Sequence, residues 1–120
     1  MFRPFTALVV VAAAAVLAVP ATATAPPVGP LPPGPVATIQ TKPGQLVAIA
    51  LPHRAGGVVW RLARNVDPKV LREVEEADVG STVVVVFKAF RRGTVRVVYA
   101  ATRGETAKAL EARTFRVVVR

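Results

Sequence analysis

Two apolar runs joined by a short bend occupy the middle of the chain. Residues 46–51 read Leu-Val-Ala-Ile-Ala-Leu, then come Pro52, His53, Arg54, Ala55, Gly56 and Gly57, then Val58-Val59-Trp60-Arg61-Leu62 with the only Trp. A continuous apolar run of this length, bounded by turn formers, is the signature of a strand buried in the middle of a β fold. The interrupting residues break strands and tolerate unusual backbone angles. Two buried strands would hold such a loop rigidly at one end of a small domain, which is a common way to build a binding surface.

Strand patterns continue on both sides. Residues 36–41 read as a short edge strand, and Pro43-Gly44 as a turn. The strands around the central bend are expected over 45–51 and 58–64. In residues 65–78 the signals compete. Asp67 before Pro68 suits a helix start, and Val66, Val70, Leu71 and Val74 suit a helix face, whereas Val70, Arg72 and Val74 also suit a strand. The spacing predicts a turn of helix leading into an extended segment. Val79-Gly80-Ser81 is a turn. Residues 82–90 are β-branched and aromatic almost throughout and form the strongest strand. Arg91-Arg92-Gly93 predicts a tight hairpin into a strand over 94–101. Residues 102–111 are a polar loop with Gly104, and 112–120 close the chain with a strand. About seven short strands with a Trp on the third predict an all-β chain, an immunoglobulin-like antiparallel β-sandwich over residues 36–120. Trp60 is expected to pack its centre.

The N-terminus is different. Arg3 precedes an apolar run over 7–19 that is too short to span a bilayer. Pro20 ends it, and Ala21 and Ala23 offer a small-x-small cut, the pattern of a secretory signal peptide over residues 1–23. A secreted or otherwise extracytoplasmic protein is expected. Residues 24–35 carry six prolines and predict an extended linker that would space the domain from its N-terminus. The chain has no Cys. Lipid anchoring through Cys is therefore excluded, and without disulfides the core alone must hold an exported domain together.

The formal charge is +9. Such a balance favours anionic partners such as acidic protein faces or envelope polymers. The basic residues alternate with apolar ones along strands (Arg61, Arg64, Arg96, Arg116), as on the solvent side of a sheet. No nucleic-acid partner is expected, and the chain reads as a monomer. There is one His (His53), one Ser (Ser81), one Tyr and no Cys. A nucleophile–base pair could only be Ser81 with His53, and Ser81 beside Gly80 is more simply a turn residue. Asp67, Glu73, Glu75, Glu76 and Asp78 follow no calcium or zinc spacing. No catalytic residue, cofactor or metal is expected, and the chain reads as a non-enzyme.

The order of signals from Gly44 to Val119 resembles the chagasin-type inhibitors of papain-like cysteine peptidases, exported domains with an immunoglobulin-like fold. The matching residues are Gly44, Leu51-Pro52, Gly57 three positions before Trp60, Leu62, Asp67-Pro68 with Val70-Leu71, Phe87-Lys88-Ala89, Gly93-Thr94, Tyr99, and the closing run from Ala112 to Val119. The family's first binding loop reads N-P-x-T-G followed by an aromatic; His53 to Val58 stand there, with only Gly57 kept. The family's R-P-W element after the Tyr is replaced by Ala100 to Gly104. The resemblance implies non-covalent blockage by three loops at one end of the sandwich. The central loop (His53, Arg54, Ala55, Gly56, Gly57, Val58) would enter the peptidase cleft, and flanking loops at Gly80-Ser81 and Thr102-Arg103-Gly104 would grip its rims. With the aromatics replaced, Arg54 and Arg103 are the expected anchors, and the inhibition is expected to be weakened or retargeted. The competing expectation is a non-catalytic envelope module that holds anionic polymer or an acidic protein on a basic sheet face of Arg61, Arg96 and Arg116.

Overall fold

A computed structural model of the protein describes residues 26–120. The leader expected over residues 1–23 lies outside the described residues. Seven strands follow in order: β1 (Val36–Thr41), β2 (Leu46–Pro52), β3 (Val58–Leu62), β4 (Leu71–Val79), β5 (Thr82–Ala89), β6 (Gly93–Arg103) and β7 (Glu111–Val119). They form a four-stranded sheet, β1-β7-β6-β3, packed on a three-stranded sheet, β2-β5-β4. This is the two-layer, all-β sandwich expected from the strand pattern.

The core follows from the two-residue period of the strands. In β2, Val47, Ile49 and Leu51 point inward and are buried, while Leu46, Ala48 and Ala50 are exposed. Their partners Phe87, Val85 and Val83 on β5 continue the same inner face. From the other sheet come Val95, Val97 and Tyr99 of β6 and Val117 and Val119 of β7. Burying each Val, Leu, Ile or Phe of this set contributes about 1.5–3 kcal/mol. A chain without disulfides depends on that sum.

Four local features depart from or sharpen the sequence expectations. Arg91-Arg92-Gly93 does not close a hairpin, because β5 and β6 belong to different sheets and the segment crosses between them. The cause is burial: the apolar faces of β5 and β6 meet across the core and do not pair edge to edge. β1 and β7 pair in parallel, from Val36↔Thr114 to Thr41↔Val119, while every other strand pair is antiparallel. The two come from opposite ends of the chain, so no tight turn forces an antiparallel pair. At residues 65–70 the ambiguous stretch resolves into one turn. Val70 N–H and Leu71 N–H both donate to the Asp67 carbonyl (3.1 and 3.0 Å), and Lys69 N–H donates to the Asp67 carboxylate at 3.0 Å. The chain then extends as β4, with a bulge at Val74.

The fourth departure concerns the Pro-rich segment, which lies along the domain instead of projecting from it. Gly29 N–H donates to the Ala107 carbonyl (2.8 Å) and Thr114 N–H to that of Pro35 (3.0 Å). Arg61, opposite Ala100 on the outer side of the four-stranded sheet, reaches the carbonyls of Thr106 and Pro26. This covering explains why β6 is buried without interruption from Val97 to Thr102, although only alternate residues face the core.

Candidate functional site

Three connections meet at one end of the sandwich. Residues 53–57 cross from β2 to β3, Gly80-Ser81 turns β4 into β5, and residues 104–110 join β6 to β7. Register brings them together, since Pro52 stands opposite Thr82 and Val58 opposite Arg103. The strands that carry the core thus also hold the three loops.

The central loop is exposed throughout and tied on both sides. His53, Arg54, Ala55, Gly56 and Gly57 are all exposed. Toward the β4–β5 turn, His53 N–H donates to the Ser81 carbonyl at 2.9 Å, and the His53 Nε2 lies 3.3 Å from the Asp78 carboxylate. Toward the β6–β7 loop, Gly104 N–H donates to the Gly57 carbonyl at 2.9 Å. Arg54 donates twice to Glu111 at the start of β7, from Nε (2.6 Å) and Nη2 (3.0 Å). This paired geometry is the directional form of the arginine–carboxylate contact. The hydrogen bond from Arg54 holds the Glu111 carboxyl below the usual carboxylate range, against a smaller opposing effect of burial. At the loop's base, Trp60 Nε1–H donates to the Pro52 carbonyl at 2.7 Å. The indole is half-buried, packs on the core and has the Arg113 guanidinium 5.7 Å from its ring centre.

Gly56 and Gly57 make the tip possible. Both have left-handed φ, +77° and +75°, which costs a residue with a Cβ about 1–2 kcal/mol. Nothing lies within 4 Å of where a Cβ would stand at either position. The tip is therefore backbone and open space, a shape that fits a narrow cleft.

The remaining expected site residues divide. Gly80, Ser81 and Gly104 are exposed and lie in the flanking loops, and Arg103 is exposed at the end of β6. Val58 is half-buried at the start of β3. Thr102 is a correction: β6 runs to Arg103, and Thr102 is fully buried inside it. Its hydroxyl donates to the Gly104 carbonyl at 2.6 Å, so it shapes the flanking loop and offers no contact surface. Arg54 is also corrected in role. It is held by Glu111 and so positions the loop instead of standing free as an anchor. Glu111 lies outside the expected contact set; no spacing in the sequence signals a partner 57 positions away. His53 and Ser81 meet through backbone, with the imidazole turned toward Asp78. Among the described residues no cluster of three His, Asp or Glu is placed to hold a metal ion.

Of the basic sheet face, Arg96 and Arg116 stand directly opposite each other, exposed, on β6 and β7. Arg61 is instead engaged by backbone carbonyls.

No protein-family model and no curated protein sequence matches the chain. Among solved structures, the chain is similar to the crystal structure of a cysteine protease inhibitor from Entamoeba histolytica. The TM-score is 0.56 at 16% identity, over 74% of this chain and 99% of that one. At that identity the likeness is one of fold, and it agrees with the immunoglobulin-like architecture described above.

Proposed function

We propose that this protein is an exported, non-covalent inhibitor of cysteine peptidases of the papain type. It acts by inserting the loop of residues 53–57 into the active-site cleft. The observation that carries the reading is the tying of that loop to both neighbours, by His53 to the β4–β5 turn and by Arg54 and Gly57 to the β6–β7 side. A loop fixed before binding loses little conformational freedom when it docks. The likeness in fold to a cysteine protease inhibitor supports the same reading.

Blockage needs shape and no reactive group. The Gly56-Gly57 tip brings backbone close to the catalytic groups of a peptidase, while Gly80-Ser81 and Arg103-Gly104 rest on the rims. Titration of the purified protein against several papain-like peptidases tests this. Inhibition should be reversible, competitive and abolished by Gly57→Glu. No inhibition of any enzyme at about micromolar concentration, a binding free energy near −8 kcal/mol, would overturn the proposal.

A second reading rests on the Arg96–Arg116 pair. Like charges directly opposite on a sheet are destabilising, and an anion between them would relieve that. On this reading the protein holds anionic envelope polymer, with an affinity that falls steeply with salt. Loop docking should be much less salt-sensitive, and Gly57→Glu should leave polymer binding intact.

A further inference from the structure

The two sheets do not close on both sides. β1 and β2 meet along one side, but β3 and β4 are the free edges of their sheets on the other. Between them run two cavities. One of about 260 Å³ is lined by Val58, Trp60 and Val83 with Glu76 and Asp78, and is closed at the loop end by His53 and by Arg54, whose charge is taken by Glu111. The other, of about 610 Å³, is lined by Leu62, Val66, Leu71 and Phe87 with Glu73. The groove thus has an apolar floor along its length and an acidic wall on β4.

The acids are regularly placed. Glu73, Glu76 and Asp78 stand opposite Phe87, Val85 and Val83, alternate residues of β5, because the bulge at Val74 restores the inward phase. Successive acids are therefore about 7 Å apart, the two-residue repeat of an extended chain. Among the described residues neither Glu73 nor Glu76 pairs with a cation, and Asp78 meets only His53. Arg72, at the mouth, is turned to the Pro68 carbonyl and the Phe90 ring. The uncompensated field is felt inside. Burial and then Glu76 raise the Glu73 carboxyl, and burial, Glu73 and Glu76 push up the Tyr99 phenol. Local negative charge on a protein of net +9 is a specific feature, not a property of the whole surface.

We infer that the β3–β4 groove binds an extended peptide bearing basic side chains at alternate positions, which adds as a strand to the free edge of β4. An unpaired edge supplies backbone donors and acceptors for such an addition. The alternation of side chains places every second residue of the guest over the acidic wall, where opposite charges across strands attract. The aliphatic stems of the basic side chains would pass over Leu62, Val66 and Phe87 on the way to the acids, and the residues between them would point to the other face. The groove reaches the base of the loop at His53 and Arg54 but not the Gly56-Gly57 tip, so a substitution at the tip separates this inference from the inhibitor reading.

Fluorescence anisotropy on the purified protein tests it with a labelled Lys-Val-Lys-Val-Lys peptide. Controls are its fully N-methylated counterpart, which keeps the charges and loses the backbone donors, and a Glu-Val-Glu-Val-Glu peptide. Saturable binding is expected for the first peptide alone. The double variant Glu73→Gln/Glu76→Gln should weaken it about tenfold or more, while Gly57→Glu should leave it unchanged. Circular dichroism of the double variant checks that it folds; removing two uncompensated charges favours that. The proposal is overturned by no saturation at about 1 mM, by equal binding of the N-methylated peptide, or by indifference to the double variant. A concentration-dependent dimer that displaces the peptide would also overturn it, since the occupant of β4 would then be a second copy of the chain.

Discussion

Gly57 combines strain and space, and the two can be separated by substitution. Its φ of +75° penalises any Cβ, yet nothing stands in the way of one. Gly57→Ala should therefore lower stability by about 1–2 kcal/mol through backbone strain alone. Urea unfolding with an unchanged slope would check this. Gly57→Glu adds bulk and charge at the tip for a similar stability cost, so any much larger loss of inhibition reports on docking. Arg54 and Glu111 make a different prediction. Because the folded carboxyl is held low by the Arg54 hydrogen bond, the tie is complete above the ordinary glutamate pKa of about 4.3. It is lost as pH falls through the lower folded value. The Arg54 Nε–H resonance should shift through that acid window, and the shift should vanish in Glu111→Gln. Neither residue's role can be read from the chain, since the pair joins positions that only the fold brings together. The burial of Thr102 escapes the sequence for a related reason: Thr is common in loops and strands alike, and only the covering of β6 decides.

At the level of strands, the apolar pattern delimits six of the seven. β1 matches the expected residues, and β2, β3, β5, β6 and β7 differ by a residue or two at their ends, whereas β4 (Leu71–Val79) falls in the stretch where helix and strand signals compete. What periodicity does not carry is which edges pair. Arg91-Arg92-Gly93 reads the same whether it turns a hairpin or crosses between sheets. The decision lies with the inward faces of Phe87 and Val97, which are distant in the pattern and close across the core. β5 is the strand on which the smaller sheet depends, lying between β2 and β4. Phe87, 1% exposed, is among its largest buried side chains. Phe87→Ala should cost about 3–5 kcal/mol, a large share of what a domain of this size possesses. Thermal or urea unfolding measures it, and a loss under 1 kcal/mol would mean that the two sheets are held mainly elsewhere.

For the molecule as a whole, the Pro-rich segment changes the outline expected from the sequence. Composition alone predicts an extended strip, and residues 26–35 contain no helix or strand. Whether such a strip stands off or lies down depends on contacts that composition does not encode. Gly34 is one of them: a Cβ there would stand 1.8 Å from the Ala112 carbonyl oxygen. Gly34→Val should lift the strip away while sparing the core. Limited proteolysis should then cut within residues 26–35 sooner, with little change in the unfolding midpoint of the sandwich. Equal cutting rates would refute the docked arrangement.

The parallel pairing of β1 with β7 has a practical corollary. Both strands run away from the end that bears the three loops, and Arg120 finishes beside Thr41 at the opposite pole. The Pro-rich segment therefore enters β1 from the side of the loops. A sensor chip or affinity resin coupled through that segment would turn the loops toward the support and mask them, whereas coupling at Arg120 would leave them facing the solution.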